Sequence, residues 1–231
     1  AFGTVAGGLS GYSCDLSVDA GGKIDVLASK NSGTYYWSLI GHTSYYSSNS
    51  RGIHSGDISV KSGTVAGLGE YGLTIRAASG DFSSLPALSA TGSYYSFAAI
   101  GHRGHSANTS LSGDVTVEVV RGGITIQGGN GIAGTTAADT PPDIRLHGAQ
   151  IGHGGYNISG AGLSGSVRVL AQSDIVLRAG TARHSAVLIG HGGYLSSGAM
   201  GLAGGVLEVV SREGSLELDS SPAPANPVAG G

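Results

Sequence analysis

Apolar residues alternate with polar or small ones in short bursts along the chain. Val115, Val117 and Val119 are separated by Thr116 and Glu118, Ile124 and Ile126 flank Thr125, and Val167 and Val169 flank Arg168. A two-residue period is that of a strand with one buried face. No window combines helical spacing with helix caps. Glycine pairs at Gly21-Gly22, Gly122-Gly123 and Gly128-Gly129 sit at the ends of bursts and mark corners, where positive φ is needed. The pattern predicts an all-β protein made of many short strands.

The bursts recur in a fixed order. The tripeptide Ile-Gly-His occurs at Ile40-Gly41-His42, Ile100-Gly101-His102, Ile151-Gly152-His153 and Ile189-Gly190-His191, at spacings of 60, 51 and 38 residues. A second element follows each copy, with its glycine at Gly56, Gly113, Gly165 and Gly204, which is 14, 11, 12 and 13 residues after the motif histidine. It reads Ser55-Gly56-Asp57-Ile58-Ser59-Val60 in the first copy and Ser112-Gly113-Asp114-Val115-Thr116-Val117 in the second. A third element follows: Leu73-Thr74-Ile75, Ile124-Thr125-Ile126, Ile175-Val176-Leu177 and Leu216-Glu217-Leu218. Leu16-Ser17-Val18 and Ile24-Asp25-Val26 fill the second and third places of an incomplete leading unit.

A unit of three short strands cannot bury its apolar side alone. Stacking units in parallel buries them as continuous columns. The expected architecture is a right-handed parallel β-helix, a solenoid of about five coils of three short strands each. Residues 1–220 form the solenoid with an N-terminal cap segment, and the Pro/Ala-rich residues 221–231 form a tail or linker. Two long insertions, residues 80–93 and 130–143, both interrupt the link from the third element to the next motif copy, so one corner carries both loops.

Composition narrows the class. Of 231 residues 43 are Gly and only 12% are charged, against about 25% charged in ordinary globular chains. No Gly-X-Y period is present, which excludes collagen. Net charge is −3 without any basic block, so the footprint of a nucleic-acid binder is missing. No apolar run approaches the ~20 residues that span a bilayer. Cys14 is the one cysteine, which leaves neither a disulfide framework nor a cysteine-based zinc site.

The sequence IGHGGY, followed by LSG-[DS]-V-x-V and then [DG]-I-x-[LI]-x-[AG]-G, resembles the repeats of filamentous-haemagglutinin-like adhesins and autotransporter passengers of Gram-negative bacteria. Residues 151–180 carry it most clearly, then 100–129, and it extends over roughly 14–218. The resemblance implies export, a right-handed β-helix, a secreted or cell-surface location, and roles in adhesion, self-association or biofilm. The family's N-terminal secretion domain and C-terminal barrel are not recognised here, so a mature passenger, a fragment or a stand-alone member is expected.

Candidate chemistry is sparse. His42, His102, His153 and His191 are expected to stack on successive coils. The preferred reading is a structural ladder bonded to corner backbone. Metal binding or a pH response is the alternative. His54, His105, His147 and His184 do not recur, and no G-x-S-x-G elbow accompanies them. Asp57 and Asp114 share one repeat position. Neighbouring coils would place them about 4.8 Å apart, near the separation in a retaining glycosidase, but capping of backbone N–H groups is the better reading. Tyrosines number 10 against 3 Phe and 1 Trp. Tyr35, Tyr36, Tyr45, Tyr46, Tyr94 and Tyr95 flank the first two motif copies and are the candidate ligand-binding residues, since tyrosine stacks on sugar rings and donates a hydrogen bond. The sequence therefore points to a non-enzymatic extracellular adhesin or passenger without cofactor. Its partners would be a host or matrix glycan or protein, or copies of itself. A filament subunit stacking through its ends is the alternative, and a polysaccharide-degrading enzyme is less favoured.

Overall fold

The computed structural model describes residues 12–28, 35–77, 95–129, 148–159, 162–180, 185–194 and 205–220, with backbone alone at 35, 36, 44–51, 95, 106, 107 and 194. Among these residues there is no helix, and all strand pairs are parallel. The long insertions at 80–93 and 130–143, the segment 1–11 and the tail 221–231 lie outside the described residues.

Four parallel sheets run the length of the solenoid. The valine sheet stacks Leu16–Ala20, Ile58–Ser62, Val115–Val119, Val167–Ala171 and Leu207–Ser211 in unbroken register. The isoleucine sheet stacks Ile24–Leu27, Leu73–Arg76, Ile124–Gln127, Ile175–Arg178 and Leu216–Asp219. These are the second and third elements of the repeat. The alternation read from the sequence sends Val115, Val117, Val119, Ile124 and Ile126 inward to full burial. Each joins its counterparts above and below in one core.

The Ile-Gly-His element gives two strands rather than one, so the expected three strands per coil become four. An approach sheet is built from the strands entering the motif, Tyr35–Ile40, Tyr95–Ile100, Ala149–Ile151 and Val187–Ile189. A lobe sheet takes the strands that leave it, Thr43–Ser55, Arg103–Ser112, Gly154–Tyr156 and Gly192–Tyr194, with Tyr12–Ser13 at one edge and Leu163–Ser164 beside Arg103–Ser112. The turn between them lies at the motif glycine. Gly101 has φ +143°, and a Cβ there would sit 2.0 Å from the carbonyl oxygen of Gly152 on the next coil. At the far side of the lobe, Gly113 has φ +125°, and its Cβ would lie 2.1 Å from the carbonyl of Gly56 on the preceding coil. Both corners thus require glycine twice over, for conformation and for closeness of the neighbouring coil.

Between these corners the chain leaves the main core and returns. Leu111, Ile158 and Leu163 form a small separate core inside this lobe. At the C-terminal end of the described solenoid, Leu216 and Leu218 occupy the next places in the columns of Ile175 and Leu177. They are 51% and 72% exposed because no strand is paired beyond them among the described residues.

Gly101→Ala is expected to abolish the cooperative thermal transition followed by circular dichroism. Gly69→Ala, where an added Cβ meets nothing within 4 Å, should shift stability by no more than about 0.5 kcal/mol.

Candidate functional site

The motif histidines form one column. Ring centroids lie 4.9 Å apart from His42 to His102, 4.8 Å from His102 to His153 and 4.9 Å from His153 to His191, and the planes differ by 16°, 2° and 8°. That spacing is the strand-to-strand distance of a sheet. The rings of His102, His153 and His191 each bond to the preceding coil at two places. His42 N–H donates to His102 Nδ1 at 3.1 Å, His102 N–H to His153 Nδ1 at 3.0 Å, and His153 N–H to His191 Nδ1 at 3.1 Å. On the other side of the ring, Nε2 of His102, His153 and His191 lies 2.9, 2.8 and 2.9 Å from the carbonyls of Gly56, Gly113 and Gly165. A backbone N–H can only donate, so Nδ1 must accept, and Nε2 then carries the proton and donates to the carbonyl. In these three the imidazole is therefore a strut across the neck of the lobe with one accepting and one donating nitrogen, holding both ends of the neck one ring apart.

Protonation would set a donor at Nδ1 against a donor. Burial acts in the same direction, lowering the His153 pKa to about 3 and pushing His102 below the ordinary imidazole range. With both nitrogens in use, metal coordination by this column would require breaking the strut. Among the described residues no group of three or more His, Cys, Asp or Glu is placed to hold a metal ion.

A second polar column runs beside the first. Asp15 Oδ1 accepts from Asp57 N–H at 2.9 Å, Asp57 Oδ1 from Asp114 N–H at 2.9 Å, and Asp114 Oδ1 from Ser166 N–H at 2.7 Å. Each carboxylate reaches forward to the next coil, whereas each imidazole reaches back. The shared position of Asp57 and Asp114 is thus occupied by backbone capping between coils. Asp174 repeats the device in the link before the isoleucine sheet. Ser215 N–H and Oγ both donate to its Oδ1, at 2.7 and 3.0 Å, and hold its carboxyl below the usual range.

The remaining candidates are dispersed. His54 is buried in the lobe, stacked on Tyr12 with centroids 5.5 Å apart, and burial lowers its pKa to about 4. His105 packs against Tyr156 and Trp37, and burial lowers it also to about 4. His147, His184 and Tyr94 lie outside the described residues. Tyr35 and Tyr36 enter the approach sheet beside Tyr95 and Ser96, and Tyr45 pairs with His105 in the lobe sheet. Tyr46 lies within the strand Thr43–Ser55, and the side chains of Tyr35, Tyr36, Tyr45, Tyr46 and Tyr95 are outside the description.

One feature of the site region is not a repeat feature at all. The approach and lobe sheets meet in a notch that holds a cavity of about 370 Å³. Its lining includes Phe97, Arg103, Gln150 and Leu188 above a floor with Gly155 and Gly193. Arg103 is 7% exposed, and burial lowers its guanidinium pKa to about 10. It donates to Gln150 Oε1 at 2.8 Å and lies 4.3 Å from the centroid of the Phe97 ring. The sequence contained a signal for it. The residue after the motif histidine is Thr43, Arg103, Gly154 or Gly192, so the arginine stands out only when the copies are aligned.

The chain matches no family model, no curated protein and no solved structure.

His153→Ala would orphan His102 N–H and the Gly113 carbonyl together, and should destabilise the fold by about 3–5 kcal/mol in denaturant unfolding. Acid should act through the same groups. Unfolded imidazoles protonate near pH 6.5, whereas His54, His105 and His153 resist to about 4, 4 and 3. In that window the unfolded chain holds more protons, so stability rises with pH, is complete above about 6.5 and is lost on descent towards 3. Each ring contributes roughly 1.4 kcal/mol per pH unit. Thermal midpoints at pH 7, 5.5 and 4.5 should fall in that order, and His153→Ala should flatten the slope.

Proposed function

We propose that this chain is the rigid body of an extracellular adhesin-type passenger, a structural solenoid that presents surfaces for attachment or self-association on a bacterial cell. The observation that supports the reading is the use made of the recurring polar residues. The histidine column and the aspartate column both bind the backbone of adjacent coils. Polar groups committed in this way support a scaffold over an enzyme, since a hydrolase or lyase needs titratable groups left convergent and available in a cleft. The repeat resemblance supplies the extracellular setting and the expected partners, a host or matrix glycan or protein.

A second reading, a filament subunit that stacks through its ends, is favoured by one further observation. Leu207, Leu216 and Leu218 continue the inward columns yet are 49%, 51% and 72% exposed. An uncovered strand edge with apolar side chains is suited to pairing with another coil.

Negative-stain microscopy and sedimentation of the purified protein separate the two. The adhesin reading expects short single rods that bind an immobilised glycan or matrix-protein panel. The filament reading expects ordered fibres that the double substitution Leu216→Asp with Leu218→Asp abolishes. Turnover of pectate, alginate or hyaluronate would overturn both.

A further inference from the structure

We propose that the notch between the approach and lobe sheets binds a small organic carboxylate with an apolar body, and that Arg103 is the residue that holds it. A buried cation is costly unless an anion accompanies it. Arg103 has no carboxylate partner among the described residues, where its polar contact is with the neutral amide of Gln150. Nothing in the coil itself requires a cation there. Thr43 pairs with Arg103 in the coil before and Gly154 in the coil after, and Gly154 in turn pairs with Gly192.

The guanidinium is also held ready. Phe97 lies under its face, and Gln150 takes one N–H. Gln150 is fixed in turn, because the two hydrogens of its Nε2 are shared among the carbonyls of His153, Gly190 and Gly192, at 3.2, 2.9 and 3.3 Å. Ring and amide together lock the planar fork, and its other N–H donors have no acceptor among the described residues. A fixed guanidinium fork matches the two oxygens of a carboxylate.

The cavity beside it selects the rest of the ligand. Phe97, Ala149, Val187 and Leu188 line a volume of about 370 Å³, within the range of small-molecule sites. A single cation in apolar walls suits a monoanion. A phosphate or sulfate dianion would leave one charge uncompensated and would fill none of the apolar space. The site is independent of the adhesin reading, and its failure would leave that reading untouched.

The test uses the whole protein with benzoate and octanoate as probes, benzamide as the neutral isostere of benzoate, and sodium sulfate as an inorganic anion. Binding is read by calorimetry and by the rise in thermal midpoint that saturating ligand produces. At least one carboxylate should bind saturably to the wild type, and benzamide and sulfate at least about tenfold more weakly. Arg103→Gln should lose that preference while retaining the wild-type circular dichroism spectrum, and Arg103→Lys, which keeps the charge without the fork, should bind at least about tenfold more weakly. Equal binding of benzamide, equal binding of sulfate, or no saturable binding of either carboxylate to the wild type would each overturn the proposal. The wild-type comparisons decide the question even if a variant fails to fold.

Discussion

Each coil of this solenoid is fastened to the one before it by an imidazole that must stay neutral. Strand pairing alone sets the vertical spacing, and it does so for any parallel sheet. What it does not set is the distance between the place where the chain leaves the core for the lobe and the place where it returns. The motif histidine sets that distance, because Nδ1 takes the N–H at one end and Nε2 reaches the carbonyl at the other. The flanking glycines answer the vertical spacing instead. At each corner the carbonyl of the same position on the neighbouring coil sits so near that a Cβ at Gly101 or Gly113 has nowhere to go.

The strut explains how lobes of different length share one cross-section. The interval from histidine to glycine varies from 11 to 14 residues over the four copies, yet the valine sheet beyond it stays in unbroken register over all five strands. Variation is confined to the segment between the fixed points. The strand Thr43–Ser55 even slips register against Arg103–Ser112 between Ser47 and Gly52, and the pairing recovers before the neck is reached. A polar pair of bonds, repeated on each coil, keeps irregularity out of the apolar core.

The main core was legible because its residues obey two rules at once, alternation within a strand and recurrence between coils. Val60, Val117 and Val169 satisfy both. The approach sheet satisfies both only at its last position, where Ile40, Ile100, Ile151 and Ile189 recur in register and face the core. Its other inward column runs Ser38, Ala98, Ala149 and Val187, four residues with no shared hydrophobic signature, so the strand that enters the motif is visible only in three dimensions. The lobe core is harder still. Leu111 and Leu163 stand in one column with His54 and Tyr12, and Ile158 has no repeat counterpart to announce it. Stacked histidines follow from their recurrence, but their bonding partners lie one coil away and cannot be read from spacing. Arg103 is the opposite case. Searching for what repeats directs attention away from it, since it stands where the repetition fails.

The two polar columns also give the stack an arrow. Each imidazole reaches towards the amino terminus and each carboxylate towards the carboxyl terminus. The two ends of the stack are therefore chemically unlike: one offers backbone groups to an incoming ring, the other offers them to an incoming carboxylate. A further turn can continue the pattern only when it is laid in the same sense, as a brick keyed on both faces fits its course one way up.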